Sequence, residues 1–317
     1  MSNTILFVVI PCYNEEEVLH ETARRLREKF STLIDAGKIT AQSRIVFVND
    51  GSKDATWKII SKLHAADKIF SGINLSRNRG HQNALLAGLM TVKDYADAVI
   101  SMDADLQDDI NAVDEMLVKY AEGYDVVYGV RSKRATDTFF KRFTAEGFYK
   151  MIKFLGADII ENHADYRLMS KRALNGLAEF EEVNLFLRGM VPMVGYPSTN
   201  VYYERAERFA GESKYPLKKM LAFAFEGITS LTIEPIRLIT RLGFTISLLS
   251  LIVLLWIFYR YFTGGVVAGW ASTLASLWFL GGLVLLSIGI VGEYIGKIYL
   301  ETKRRPRFII SEFLFSK

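Results

Sequence analysis

Five acidic or amide side chains follow one short apolar run of this sequence. The run covers 98–102, and the stretch SMDADLQDD at 101–109 then supplies Asp103, Asp105, Gln107, Asp108 and Asp109. Removing so many carboxylates from water without a positive partner would be costly. The stretch therefore predicts either a solvated loop or a site that holds a cation.

Polar clusters also end four other apolar runs. The runs at 5–10, 44–48, 69–75 and 126–130 end in IPCYNEEE, VNDGSKD, NLSRNRGHQN and YGVRSKR. In open α/β sheets, ligands bind in the crevice at the carboxyl ends of the strands. Five such ends side by side predict one large polar site.

The pair Asp103 and Asp105 suggests what that site holds. Side chains two positions apart on a strand project to the same side, and carboxylate oxygens suit Mg²⁺ or Mn²⁺, held together with substrate phosphates. Basic residues follow the neighbouring runs: Arg77, Arg79, Arg131, Lys133 and Arg134. The prediction is a metal ion and a diphosphate at one edge of the sheet.

Several other chemistries are disfavoured by the motifs. No GxGxxG follows the first strand and no GxxxxGK[ST] occurs, which argues against a dinucleotide site and a P-loop. Cys12 is the one cysteine, so no internal disulfide can form, which fits a reducing compartment. The run at 5–10 lacks the basic flank and cleavage site of a signal peptide.

Amphipathic stretches separate the apolar runs up to residue 130. They cover roughly 15–36, 54–66, 80–95 and 110–122. Strands that alternate with helices predict βαβ units and a mostly parallel sheet. Because the strand runs are almost continuously apolar, we expect helices on both faces of an α/β fold.

Two long apolar segments predict membrane spans. Residues 242–262 carry a charge only at Arg260, residues 270–292 carry none, and each segment is long enough to cross a bilayer. Basic residues flank the pair: Arg237, Arg241, Lys297, Lys303, Arg304, Arg305 and Arg307. The positive-inside rule places these flanks and the N-terminal domain in the cytoplasm. A buried hairpin in a soluble protein is the alternative.

Two further segments, 139–156 and 215–243, mix aromatic residues with Lys and Arg. Such segments lie in the headgroup layer of a membrane, and ordinary packed helices are the alternative. The predicted domains are a cytoplasmic catalytic domain (1–214), an interfacial amphipathic segment (215–241), a two-helix transmembrane hairpin (242–299) and a basic cytoplasmic tail (300–317). The predicted location is the cytoplasmic (inner) membrane, with a multi-pass topology.

The motifs IPCYNEEE, VNDGSKD, LSRNRGHQNALLAGL and DADLQD resemble the successive signatures of family 2 glycosyltransferases. ADYRLMSKRAL (164–174) and RFAGESKYPLKKM (208–220) resemble the polyisoprenyl-phosphate subgroup, which includes bactoprenol glucosyltransferases and dolichol-phosphate-mannose-synthase-like enzymes. The resemblance covers essentially the whole chain. It implies a GT-A, Rossmann-like, mostly parallel sheet with helices on both faces, followed by interfacial helices and two transmembrane helices. The QxxRW motif of processive synthases is absent, which implies transfer of a single sugar.

The resemblance implies a role for each matching residue on the donor side. The nucleotide pocket would be lined by Pro11, Tyr13 and Glu15, and Asp50 would contact the base or ribose. Asp103 and Asp105 would position the donor and its metal, Mg²⁺ or Mn²⁺, and Gln107 would join the metal shell. Arg131 would face phosphate and stabilise the leaving group.

On the acceptor side, the resemblance implies that Arg208, Ser213 and Lys214 lie near the acceptor phosphate. Asp165 is interpreted as an acceptor-orienting or basic catalytic residue, with a structural ion pair to Arg167 or Arg172 as the alternative. Asp108 lies where this chain departs from the family pattern, and it receives no role.

The implied reaction is an inverting, metal-dependent transfer of one hexose from a nucleotide-diphosphate sugar to undecaprenyl phosphate, for modification of a cell-envelope glycan. The bacterial resemblance favours UDP-glucose, while GDP-mannose, UDP-N-acetylhexosamine and an aminopentose donor stay open. The expected partners are these two substrates and the membrane, without nucleic acid. A non-catalytic membrane scaffold is the alternative from another class. Glycines of the second span would allow close packing in a homo-oligomer: Gly281, Gly282, Gly289 and Gly292.

Overall fold

The computed structural model of this protein describes residues 4–132, 163–184, 186–204, 234–263 and 269–316. The strands within these ranges are β1 (Leu6–Cys12), β2 (Arg44–Asn49), β3 (Phe70–Leu75), β4 (Ala98–Ser101), β5 (Val126–Arg131), β6 (His163–Ser170), β7 (Ser198–Tyr203) and β8 (Ile310–Leu314). The helices are α1 (Leu19–Asp35), α2 (Thr56–Ala66), α3 (His81–Val92), α4 (Ala112–Ala121), α5 (Lys171–Ala178), α6 (Leu187–Met193), α7 (Glu234–Phe262) and α8 (Trp270–Lys303).

The first five strands follow the predicted apolar runs because both of their faces are covered. Along β1, Leu6, Val8 and Ile10 belong to one hydrophobic cluster, and Phe7 and Val9 belong to another. Residues of α1, α2 and α4 complete the first cluster, and residues of α3, α5 and α6 complete the second. The prediction of an α/β sheet with helices on both faces is therefore confirmed.

The eight strands form one sheet in the order β7-β5-β6-β4-β1-β2-β3-β8. Parallel pairs join β1 to β2 and β4, β2 to β3, and β5 to β7. Two strands run the other way: β6 lies antiparallel between β4 and β5, and β8 lies antiparallel along β3. The predicted, mostly parallel arrangement is confirmed, and the carboxyl ends of β1 to β5 lie at one edge.

The segment predicted as a basic tail supplies the edge strand β8. Its Phe313 and Phe315 rings stack with centroids 5.3 Å apart, and the Phe315 ring lies 4.8 Å from that of Tyr95. Ser311 donates a hydrogen bond from its hydroxyl to the carbonyl of Asn74 in β3. The end of the chain is thus built into the same sheet as its beginning.

The chain divides into two compact units. One contains Met1–Tyr149, Ile159–Pro216 and Arg305–Lys317, and the other contains Lys150–Asp158 and Leu217–Arg304. The first unit holds the sheet. The second unit holds α7 and α8. The predicted interfacial segment 139–156 and the part of the second one up to residue 233 lie outside the described residues.

Of the two predicted membrane spans, the structure supports one. Among the described residues, one segment, Phe279–Lys303 of α8, is long and apolar enough to cross a membrane. Within those residues, a two-helix hairpin and a multi-pass topology are not supported.

Candidate active site

The loops after β1 and β2 are held together by hydrogen bonds between backbone and side chains. The amide of Asn14 donates to the Ser52 hydroxyl (3.0 Å), and the Asn14 side-chain oxygen accepts from the amide of Lys53 (2.9 Å). Farther along, the amide of Glu15 donates to the Thr56 hydroxyl at 2.9 Å. These bonds fix the shape of the loop that contains the predicted nucleotide-pocket residues.

Asp50 ties the loop after β2 to the loop after β3. Its two carboxylate oxygens accept hydrogen bonds from the amides of Arg79 (2.7 Å) and Gly80 (2.9 Å). At the next position, Gly51 has φ +64°, and a Cβ there would lie 2.4 Å from the backbone nitrogen of Asn78. Asp50, predicted to contact the base or ribose, is thus buried and bonded to the protein backbone.

The loop after β4 carries the predicted metal ligands in a constrained conformation. Leu106, buried at its centre, has φ +58°, a left-handed conformation that a leucine adopts only at a cost. The Asp105 carboxylate accepts a hydrogen bond from the amide of Gln107 at 3.2 Å. Strain of this kind concentrates at ligand sites, where the surrounding structure over-determines it.

His81, the first residue of α3, lies between two of the carboxylates. Its Nε2 is 3.4 Å from an Asp165 oxygen and 3.7 Å from an Asp103 oxygen. Burial lowers the pKa of His81, but the hydrogen bond to Asp165 and the charges of both aspartates outweigh it and raise the pKa. His81 therefore favours its charged form beside these groups.

Asp165 is enclosed by positive groups. Its oxygens lie 2.8 Å from an Arg167 nitrogen and 3.2 Å from an Arg188 nitrogen. Although burial acts to raise the pKa of Asp165, the bond with His81 and the charges of Arg188 and Arg167 hold it well below its usual range. A carboxylate held ionised in this way orients its partners, which fits the predicted orienting role better than proton abstraction.

Arg188 is placed beside Asp165 and His81 by the start of α6. The amide of Leu187 donates a hydrogen bond to the Gln82 side chain in α3 at 2.9 Å, which ties the two helix starts together. Of the two partners considered for Asp165, Arg167 is the one observed, and Arg172 instead pairs with Asp125.

Arg131 ends β5 beside a second buried carboxylate. Its Nε lies 3.3 Å from the Tyr203 hydroxyl, and its Nη2 lies 3.4 Å from Oδ1 of Asp108. The Tyr203 hydroxyl donates to the same Asp108 oxygen at 2.5 Å. The sequence assigned no role to Asp108. In the structure, Asp108 and Tyr203 form a hydrogen-bond network with Arg131, the residue predicted to face phosphate.

The remaining predicted residues are placed as follows. Pro11 is buried in β1, where it pairs in register with Val48, while Tyr13 is 43% exposed at the carboxyl end of that strand. The predicted acceptor-side residues, Arg208, Ser213 and Lys214, lie outside the described residues. The structure thus brings Asp103, Asp165 and Arg131 to one edge of the sheet.

The acidic edge fits a divalent cation. Burial, together with the charges of Asp108, Asp165 and Asp105, raises the pKa of Asp103 to about 6 against the opposing effect of His81. Oδ2 of Asp108 is also buried, without a hydrogen-bond partner among the described residues. No three His, Cys, Asp or Glu residues in the described ranges could hold a metal by themselves. Ligation by Asp103, Asp105 and substrate phosphates fits this arrangement.

Sequence reasoning assigned no role to His81, Arg188 or Tyr203. His81 lies in the quoted motif NLSRNRGHQN, so its place at a strand end was a usable signal. Arg188 and Tyr203 belong to elements distant in sequence from β4, and no local spacing marks them. Their contacts exist only because α6 and β7 pack beside the carboxyl ends of β4 and β5.

Known proteins match this chain over most of its length. A family model described as glycosyl transferase family 2 matches residues 7–177. The uncharacterized glycosyltransferase YkoT of Bacillus subtilis is 52% identical over 100% of this chain and 94% of that protein. The prophage bactoprenol glucosyl transferase homolog of Escherichia coli is 40% identical, and the bactoprenol glucosyl transferase of Shigella phage SfV is 41% identical. Each of these alignments covers 96% of this chain and 97% of the relative.

Proposed function

This chain belongs to glycosyl transferase family 2, and from that premise we propose that it moves one hexose from a nucleotide sugar to undecaprenyl phosphate. Membership makes the protein a glycosyltransferase. Two relatives named as bactoprenol glucosyl transferases support glucose as the sugar and a polyprenyl phosphate as the acceptor. UDP-glucose is therefore the proposed donor.

The observation that carries the proposal is the charge distribution where β4 and β5 end and α6 begins. The carboxylates of Asp103 and Asp105 lie in the same region as the guanidinium groups of Arg131 and Arg188. Both guanidinium groups interact electrostatically with Asp103. A diphosphate bridged by a cation needs both kinds of group. A neutral ligand would leave these buried charges uncompensated.

The reaction breaks the bond between the anomeric carbon and the diphosphate, so negative charge grows on the leaving group. Arg131 stabilises that charge through the N–H groups that Tyr203 and Asp108 do not occupy. Asp103 and Asp105 would hold Mg²⁺ or Mn²⁺, which supplies Lewis-acid stabilisation of the diphosphate. A single displacement by the acceptor inverts the anomeric configuration.

The acceptor requires no strong base. A phosphate monoester is largely ionised at neutral pH because its second pKa is about 6. Asp165 therefore acts by orienting Arg188 and His81, and the Arg188 guanidinium supplies positive charge for the acceptor phosphate. Proton transfer to Asp165 is unnecessary, which agrees with its lowered pKa.

A lipid acceptor calls for a membrane location, and α8 supports it. Leu277, Phe279 and Leu285 are each more than two-thirds exposed. The segment Phe279–Lys303 of this helix is long and apolar enough to cross a bilayer. We propose that α8 anchors the protein to the cytoplasmic membrane.

The test is transfer of labelled sugar into an organic-extractable lipid. Purified full-length protein is mixed with undecaprenyl phosphate, Mg²⁺ or Mn²⁺, and each of a panel of UDP- and GDP-sugars. We expect label from UDP-glucose, lost with EDTA and reduced about 1,000-fold in Asp105→Asn. Asp94→Asn, a change at a side chain that is 68% exposed, is the matched control and should keep the wild-type rate.

The outcomes separate the parts of the proposal. Label from a different donor would show that the transferred sugar is not glucose and would leave the proposed reaction type intact. Transfer that persists in EDTA would overturn the proposed requirement for a metal ion. No label from any donor, with folded protein that still binds nucleotide, would overturn the reaction and favour a nucleotide-binding scaffold.

A further inference from the structure

We propose that Tyr203 is a positioning residue, whose hydroxyl keeps the buried Asp108 carboxylate from capturing Arg131. The inference rests on the proposed function, because it concerns the availability of Arg131 for the diphosphate. It starts from the unequal way in which the three side chains are bonded.

Asp108 is 3% exposed, and its two oxygens have different surroundings. Oδ1 accepts the short hydrogen bond from Tyr203 (2.5 Å) and a long one from Arg131 (3.4 Å). Oδ2 is buried without a hydrogen-bond partner among the described residues. The carboxylate is therefore held mainly by the tyrosine hydroxyl.

An arginine next to a buried carboxylate tends to form a bidentate pair with two parallel hydrogen bonds. The unpartnered Oδ2 makes that arrangement available to Arg131. Such a pair would place the guanidinium charge on Asp108 and withdraw it from a substrate phosphate. Tyr203 supplies the strong donor to Oδ1 of Asp108. Arg131 therefore stays 3.3 Å from the Tyr203 hydroxyl and 3.4 Å from Asp108, and its guanidinium remains available to a substrate phosphate.

The Tyr203 ring is fixed by packing, so its hydroxyl cannot easily leave Asp108. The ring makes an edge contact with Tyr166 at a centroid distance of 5.3 Å. A Cβ at Gly129 would lie 3.1 Å from the Tyr203 ring and 2.8 Å from that of Tyr166, so the glycine makes room for both. Burial and the neighbouring Asp108 raise the pKa of the Tyr203 hydroxyl, which keeps its proton available for donation.

The adjacent tyrosine provides a matched control. Tyr202 is 66% exposed on the same strand, whereas Tyr203 is 4% exposed. Removing either hydroxyl makes the same chemical change at neighbouring positions of β7. Only the loss at Tyr203 releases Asp108.

The experiment measures kcat and KM for transfer from UDP-glucose to undecaprenyl phosphate in full-length protein. We expect Tyr203→Phe to lower kcat about tenfold, with a smaller change in the donor KM, because Arg131 acts on charge that develops in the transition state. Tyr202→Phe should leave both constants unchanged. The double variant Tyr203→Phe with Asp108→Asn should recover most of the lost kcat, because a neutral amide cannot form the bidentate ion pair with Arg131.

A purely structural role for the network predicts the opposite, namely that the second substitution adds to the damage. Additive losses, or an unchanged kcat in Tyr203→Phe, would overturn the inference while leaving the proposed function intact. Absence of transfer in the wild-type protein would overturn both. If Tyr203→Phe does not fold, the single variant Asp108→Asn provides the test. A decrease in kcat greater than about tenfold in that variant would contradict the proposal that Asp108 competes for Arg131.

Discussion

The loops after β1, β2 and β3 hold one another through hydrogen bonds from backbone amides, whereas the groups at the ends of β4 and β5 and at the start of β6 hold one another through ion pairs. In the first region, the amides of Asn14, Lys53, Arg79 and Gly80 find side-chain oxygens within 3.0 Å. In the second region, Asp103, Asp108 and Asp165 are buried or half-buried beside arginines and a histidine.

The difference separates two tasks of one site. A hydrogen-bonded loop fixes shape, because each buried amide needs its acceptor and alternatives leave polar groups unsatisfied. A cluster of incompletely paired charges binds a ligand of complementary charge. The same charges lower the stability of the protein without that ligand. Substitutions in the two regions should therefore change different measurements.

The largest effect is expected at Asp103. Asp103→Asn should lower transfer about 1,000-fold because it removes a carboxylate that would hold the metal ion. The same change should raise the unfolding free energy of the metal-free protein by about 1 kcal/mol at pH 7, a modest figure because the side chain is 34% exposed.

The sign of that stability change follows from the pKa of Asp103, which burial and the neighbouring aspartates raise to about 6. An acid with a raised folded-state pKa loses stability as the pH rises from its unfolded-state pKa, about 4, to the raised one, so the wild type in EDTA should gain stability as the pH falls from 7 to 5, mostly below pH 6. Thermal melts of both proteins across this range provide the measurement. If Asp103→Asn is less stable than the wild type at pH 7, the charged region does not lower the stability of the metal-free protein, and the contrast between the two regions is wrong.

Gly51→Ala should have the next largest effect, and on stability first. The new Cβ would meet backbone atoms of the next loop at 2.4 to 2.6 Å, at a φ of +64°. We expect a loss of about 3 kcal/mol in unfolding free energy, with a raised donor KM in the protein that stays folded. Denaturant melts together with donor titrations measure both, and Gly37→Ala is the control, since its φ is +67° with nothing within 4 Å.

Arg188→Ala tests whether the charged region works as a unit. Asp165 would keep Arg167 but lose a nitrogen at 3.2 Å. Transfer should fall about 100-fold, with a stability loss near 2 kcal/mol, because a buried carboxylate loses part of its compensation. Arg172→Ala removes a comparable partner from Asp125 outside the site, and equal activity losses in the two variants would contradict the assignment of Arg188.

The smallest effect concerns that outlying pair and its pH dependence. Burial acts to raise the pKa of Asp125, but the hydrogen bonds from Arg172 and Ser170 lower it overall. Its contribution to stability is therefore present above the unfolded-state pKa and is lost as the pH falls through the lowered one. Because Arg172 is 60% exposed, we expect less than about 1 kcal/mol. Melting temperatures of wild type and Asp125→Asn between pH 6 and 3 should converge as the pH falls.

The sequence predicted the sheet because buried parallel strands are continuous apolar runs, which few other elements imitate. It predicted the acidic edge because Asp103 and Asp105 directly follow such a run. Strand ends of a parallel sheet converge, so the neighbourhood of Arg131 could be predicted as well.

Long-range partners could not be predicted in this way. Arg188 reaches Asp165 through the packing of α6 against α3, and Tyr203 reaches Asp108 through the pairing of β7 with β5. β8 was hidden because five residues after a basic stretch carry too weak a pattern for a strand.

β8 also sets the order in which the sheet can be completed during synthesis. β3 forms its partner edge early, but the strand that covers the edge is made after residues 76 to 309, which include both long helices. At about 5 to 20 residues per second, that edge waits on the order of 10 to 50 s on the ribosome. An uncovered edge strand is a template for pairing with other chains. The nascent protein therefore passes through a period in which its long helices already exist and its catalytic sheet is still open.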